Sequence, residues 1–153
     1  MLEVGQKAPD FTAPDETGQT VSLVDFAGKN VVLYFYPKDS TPGCTTEAKD
    51  FSALKDQFEA QNAVILGVSK DSIKRHQNFI AKQDLKVKLL SDEQGALCED
   101  YGVWVLKKLY GREYMGIERT TFLIDADGII RNIWRKVKVK GHAQEVLDTL
   151  KAL

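Results

Sequence analysis

A run of six apolar residues, Val31-Val-Leu-Tyr-Phe-Tyr36, stops at Pro37, and no other feature limits the possible folds of this chain so strongly. β-Branched and aromatic residues without polar alternation read as a strand buried on both faces. A proline removes a backbone donor and ends it. A polar loop follows, then Thr41-Pro-Gly-Cys44. Thr41 has the chemistry of a helix cap and Pro42 that of a first helical residue, where a missing N–H costs no intrahelical bond. The helix reads to about Ala60, with Cys44, Ala48, Phe51 and Phe58 on its apolar side.

The rest of the chain continues in the same grammar. Ala63 to Ser69 is a second buried strand, parallel to the first because a helix joins them. Asp71-Ser72 caps a helix reaching about Gln83, with Ile73, Phe79 and Ile80 toward the core. Val87 to Leu90 is a short strand. Ser91-Asp-Glu-Gln94 has capping-box spacing and opens a helix that ends at Gly102. Val103 to Leu106 leads into a loop rich in Lys, Gly and Tyr, Lys107 to Gly116. Arg119 to Asp125 reads as a strand, Ala126-Asp-Gly128 as a hairpin turn, and Ile129 to Val139 as the returning strand. The last helix, His142 to Lys151, sets Ala143, Val146, Leu147 and Leu150 on one face. Near the start, Gly18 lies between Phe11-Thr12 and Thr20 to Leu23, the pattern of a short hairpin covering one sheet edge. A β-α-β unit, a β-hairpin and a closing helix fit a thioredoxin-like α/β sandwich with a central mixed sheet, in a single domain over residues 1–153.

Cys44 falls in the first turn of its helix. First-turn N–H groups have no intrahelical partner, and the helix dipole adds partial positive charge. Both favour a thiolate, the nucleophilic form of cysteine. The plainer alternative is a buried structural thiol. Gly43 beside it lets an oxyanion approach the backbone.

Pro37-x-x-x-Thr41-x-x-Cys44 resembles the reactive motif of the peroxiredoxins. Tyr34-Phe-Tyr-Pro, Thr-Pro-Gly-Cys-Thr and Gly102-Val-Trp104 are similar to the bacterioferritin comigratory protein (PrxQ) branch of that family, and the likeness runs from about Gly5 to the end. It implies the peroxiredoxin form of the fold, with an N-terminal β-hairpin. It also implies a thiol peroxidase in which Cys44 reduces hydrogen peroxide and alkyl hydroperoxides through a sulfenic acid. In that reading Thr41 holds and polarises the peroxide, Gly43 and the Cys44 N–H donate to its oxygens, and Pro37 shields the thiolate. Read by its residues alone, Arg119 is a solvated strand-end charge. The family pattern Arg119-x-x-Phe122 implies instead a guanidinium beside the sulfur, where it would steady the charge developing as the O–O bond breaks. Arg112 and Glu118 are weaker candidates. Glu47 resembles a residue that links Thr41 to the arginine.

Cys98 is the ambiguous residue. The branch often carries a resolving cysteine five residues past the reactive one, but Lys49 occupies that place, and the helix from Ile73 to Gln83, another family location, has none. Cys98 is either a resolving cysteine or, between Leu97 and Tyr101, a core residue. The expectation is a one-cysteine cycle in which thioredoxin, glutaredoxin or glutathione restores Cys44. Two rivals remain: a two-cysteine peroxidase resolved by Cys98, and a redox-sensing or interaction protein using Cys44 as a switch. No metal, haem, flavin or nicotinamide is expected.

Composition limits the partners. Formal net charge is −1, which gives no reason to expect nucleic-acid or membrane affinity. The start of the chain lacks a charged-then-apolar signal pattern. Two widely spaced cysteines without His-rich companions do not make a zinc site. A reduced cytoplasmic compartment and a monomer are the expectation. His76 and His142 show no partner in the sequence and read as surface residues. Arg131, Arg135, Lys136, Lys138 and Lys140 read as the solvated face of an edge strand. Trp104 and the 107–116 loop are candidates for the rim of the site.

Overall fold

The computed structural model describes residues 1–153. The chain begins with two short antiparallel strands, β1 (Thr12–Pro14) and β2 (Thr20–Ser22). The buried run forms β3 (Asn30–Phe35). The helix after it is split into α1 (Pro42–Ala53) and α2 (Lys55–Ala60). Then come β4 (Ala63–Ser69), α3 (Ile73–Gln83), β5 (Lys88–Ser91) and a single short helix α4 (Ala96–Asp100). β6 (Trp104–Leu109) and β7 (Arg112–Ile117) pair as a separate ribbon. β8 (Thr120–Ile124), β9 (Ile130–Trp134) and α5 (His142–Lys151) complete the chain.

The central sheet has the order β5-β4-β3-β8-β9. β3, β4 and β5 are parallel, as crossover helices require. β8 runs antiparallel to β3, and β9 antiparallel to β8. Because successive strand residues point to opposite faces, β3 divides the core. Val31, Leu33 and Phe35 face one layer, with Cys98, Tyr101 and Phe122. Val32, Tyr34 and Tyr36 face the other, with Cys44, Phe51 and Leu147. A fully buried Leu or Phe contributes about 1.5–3 kcal/mol, so these two layers are what fix the ends of the strands in space.

Both sheet edges are closed by the start of the chain. Gly5, Gln6 and Ala8 exchange backbone hydrogen bonds with Gly128 and Ile130, and Lys7 bridges Ile129 beside β9. Asp15, after β1, bridges Leu90 on β5. Its carboxylate also takes Lys88 Nζ at 2.9 Å.

Four elements differ from the sequence expectation. The helix breaks at Leu54 (φ −99°, ψ 2°) instead of running unbroken to Ala60. The segment 107–116 is not a loop: Tyr110 and Gly111, both at positive φ, make a two-residue hairpin turn. The helix after β5 does not start at Ser91, which lies in the strand; the Asp92 carboxylate accepts instead from the N–H groups of Leu97 and Cys98. β9 ends at Trp134, well short of Val139, because the chain turns at Lys136 (φ +49°) and Val137 N–H bonds the Arg119 carbonyl. Of the basic strip, only Arg131 therefore lies in an edge strand.

Candidate active site

β3 ends at Phe35, and the loop from Pro37 delivers the chain to the start of α1 beyond the C-terminal ends of the parallel strands. Thr41 occupies the cap position in extended backbone (φ −85°, ψ 154°), Pro42 the first helical position, and Cys44 the first turn. Thr41 is not a side-chain cap. Its Oγ1 donates to the Lys38 carbonyl at 2.8 Å. The N–H groups of Gly43 and Cys44 consequently have no acceptor within the chain. They are free donors at the positive end of a helix, next to the sulfur.

Arg119 enters from the neighbouring strand. Phe35 pairs with Thr120, so the residue before β8 lies across from the end of β3. The guanidinium spans two partners: Nη1 meets Glu47 Oε1 at 2.7 Å and Nη2 meets Cys44 Sγ at 3.3 Å. A Cβ added at Gly43 would come within 3.2 Å of Nη2, so the missing side chain is what lets the arginine lie this close. Arg112, by contrast, is exposed on β7, and Glu118 makes no bond to the sulfur.

Glu47 is 1% exposed, reached by Arg119 through one oxygen and unpartnered at Oε2. Burial pushes its carboxyl up, to about 7, against the opposing pull of the Arg119 guanidinium. The expected link from Glu47 to the arginine is present. A hydrogen bond from Glu47 to Thr41 is absent, since the threonine hydroxyl is turned to Lys38. Lys107 on β6 is within electrostatic reach of Arg119 and Cys44, and burial lowers its ammonium. Trp104 is half-buried, with Lys70 Nζ 4.1 Å above its ring. Pro37 is exposed.

Cys98 is fully buried in the layer opposite Cys44. Burial first, then the Asp92 carboxylate, pushes its thiol far up.

The two histidines are not on the surface. His76 has no exposure at all; its Nδ1 meets Asp39 Oδ2 at 2.6 Å and its Nε2 the Leu90 carbonyl at 3.0 Å. His142 is buried, with Nε2 2.8 Å from Thr121 Oγ1 and the Trp134 ring edge-on. Burial pushes its imidazole down, to about 4. A readable signal existed for His76. Ile73, His76 and Ile80 share one side of α3 by spacing, so the ring sits on the apolar stripe. One oxygen or nitrogen from each of Asp39, Asp71 and His76 lies within 4.8 Å of the others. Three donors so close could hold a metal ion. Here they are matched by protein groups: Tyr36 hydroxyl to Asp39, Ser69 hydroxyl and Asp39 N–H to Asp71, Arg75 Nε to Asp71 Oδ1.

The model of the AhpC/TSA family matches residues 4–133. The chain is 55% identical to the peroxiredoxin Bcp of Bacillus subtilis over 98% of its length and 96% of the relative's. It is 54% identical to a putative peroxiredoxin bcp of Coxiella burnetii over 97% and 99%. Among solved structures, a Xylella fastidiosa PrxQ mutant superposes with a TM-score of 0.94 at 42% identity, covering 99% of this chain and 97% of that one. The Xanthomonas campestris bacterioferritin comigratory protein, described with alkyl peroxide reduction activity, gives a TM-score of 0.91 at 48% identity over 99% and 97%.

Proposed function

We propose that this chain, which belongs to the AhpC/TSA family and is a thiol peroxidase of the Bcp/PrxQ kind, works through Cys44 alone. The supporting observation is the sulfur at an uncapped helix start, with Arg119 Nη2 at 3.3 Å. A thiolate there attacks the terminal oxygen of a hydroperoxide. The S–O bond forms as the O–O bond breaks, the sulfur is oxidised to a sulfenic acid, and the leaving oxygen takes a proton to depart as water or alcohol. The donors for the oxygens are the Gly43 and Cys44 N–H groups and the Thr41 hydroxyl, once it turns from Lys38. Arg119 balances the charge as it moves from sulfur to oxygen, and Glu47 fixes the guanidinium. Pro37 has the family role of shielding the sulfur; its exposure makes it the weakest member of the set.

An external thiol then condenses with the sulfenic acid, releasing water and forming a mixed disulfide. A second thiol breaks that disulfide and restores Cys44. Thioredoxin, with two thiols, can supply both; glutaredoxin or glutathione are the other reductants proposed. No metal or bound cofactor takes part, because the electrons arrive on the thiol. Reaction with Cys98 would require one sulfur to cross the sheet. Reductants of this kind fit a reduced, cytoplasmic setting. No helix is long and apolar enough to cross a membrane. The whole chain acts as one domain and as a monomer.

Intact mass of the reduced protein after one equivalent of hydrogen peroxide tests the cycle. A gain of one oxygen mapped to Cys44 supports it. A loss of two hydrogens, with Cys44 joined to Cys98, replaces it with a two-cysteine cycle.

A further inference from the structure

Beneath the reactive loop lies a buried polar group with no part in the chemistry above. Asp39, two residues before Thr41, is 3% exposed. One carboxylate oxygen accepts from the Tyr36 hydroxyl at 2.5 Å and the other meets His76 Nδ1 at 2.6 Å. Its own N–H donates to Asp71 Oδ2 at 2.8 Å. His76 reaches from α3, and its Nε2 faces the Leu90 carbonyl of β5. A carbonyl only accepts, so Nε2 carries a hydrogen, and the contact between Nδ1 and Asp39 needs a second. The arrangement is a histidine and an aspartate held together in the core by one shared hydrogen. Such a pair is tolerated because each of its polar atoms is matched.

Between Asp39 and Thr41 stands Ser40, at φ +65°. A residue other than glycine holds that left-handed conformation only when its surroundings impose it. The surroundings here are the bonds on Asp39 and, across the turn, the Thr41 hydroxyl on the Lys38 carbonyl, since Ser40 itself is exposed. The strained residue is thus the link between a fixed point in the core and the uncapped start of α1.

We propose that His76 and Asp39 are a positioning pair for Cys44, holding the loop before α1 in the form that attacks peroxide; this deepens, and rests on, the peroxidase reading above. With Asp39 held, Thr41, Gly43 and Cys44 keep the geometry described. With Asp39 released, Ser40 relaxes to ordinary backbone and the first turn of α1 loosens, turning the oxidised sulfur toward solvent. The two half-reactions therefore respond in opposite directions. Peroxide attack needs the held form; capture of the sulfenic acid needs the released one.

The test compares His76→Asn with His76→Gln. An Asn amide stands where Nδ1 does and keeps a donor for Asp39. A Gln amide stands where Nε2 does and keeps only the Leu90 bond. Second-order oxidation by hydrogen peroxide is measured alongside capture of the sulfenic acid by dimedone, each per folded molecule. The expectation is that His76→Gln oxidises about tenfold more slowly and is captured several-fold faster, while His76→Asn stays near wild type. Tyr36→Phe, which removes one hydroxyl from Asp39, gives a smaller shift of the same signs and serves if His76→Gln does not fold. Both rates falling together, or Asn and Gln behaving alike, overturns the proposal. If the wild-type protein is not oxidised at Cys44, it is the peroxidase reading that fails.

Discussion

Cys44 and Cys98 lie on opposite faces of one sheet, the first packed beside Val32 and Tyr34 and the second beside Leu33 and Phe35. Alternation along β3 sends them into different core layers. Cys98 is buried, so Cys98→Ser should cost some stability but keep peroxide turnover with an external thiol, per folded molecule, within about twofold of wild type. Cys44→Ser should have none. Steady-state peroxide consumption by the two variants separates the roles, and a dead Cys98→Ser that is still folded would count against the one-cysteine cycle.

Arg119→Ala removes the cation from Cys44 and leaves Glu47 buried without a partner. Peroxide attack should slow by roughly a hundredfold, the scale of losing one preorganised donor. Arg119→Lys should recover little, since one ammonium cannot reproduce the two-pronged bridge to sulfur and carboxylate. Stopped-flow oxidation rates check both.

Gly43→Ala tests crowding rather than charge. The new methyl would come within 3.2 Å of Arg119 Nη2 and push the guanidinium off the sulfur. The backbone at Gly43 is ordinary helix, so the melting temperature should hardly move while the oxidation rate falls about tenfold. A matched fall in both would mean a structural effect.

Two buried groups pull the pH dependence of stability in opposite directions. Glu47 has a folded value of about 7 against 4.5 for the free group. Its contribution is fully present below pH 4.5 and is lost as pH rises toward 7. His142 has a folded value of about 4 against 6.5. Its contribution is present above pH 6.5 and is lost as pH falls toward 4. In the wild type the two act against each other across this range. Glu47→Gln should uncover stability that rises with pH, and His142→Gln stability that falls with pH. Melting curves between pH 4 and 7 read out both slopes.

Much of the site was legible because it is local. Val31 to Cys44 holds the buried strand, the proline stop and the helix start in consecutive residues, and each rule acts within a few positions. Arg119 was not legible from its own surroundings. It reaches Cys44 only through the pairing of β3 with β8, and the family pattern supplied that. His76 and Asp39 were missed for the same reason, although the apolar stripe of α3 pointed inward. The β6–β7 ribbon was hidden by its exposure. Leu106, Leu109, Tyr114 and Met115 face solvent, so no buried face imposes the alternation that marks a strand. Ser91 looked like a cap by spacing, but the sheet claimed it and left the duty to Asp92.

The N-terminal clasp sets an order of events during synthesis. Gly5 to Ala8 find their partners at Gly128 to Ile130, nearly the whole length of the chain away. Gly5 to Ala8 are made long before these partners and must therefore wait, unpaired, until the strand β9 has emerged. Closing so long a loop is entropically costly and slow, so the seam between the two ends should be the final part to form in a newborn molecule and the first to open in an old one.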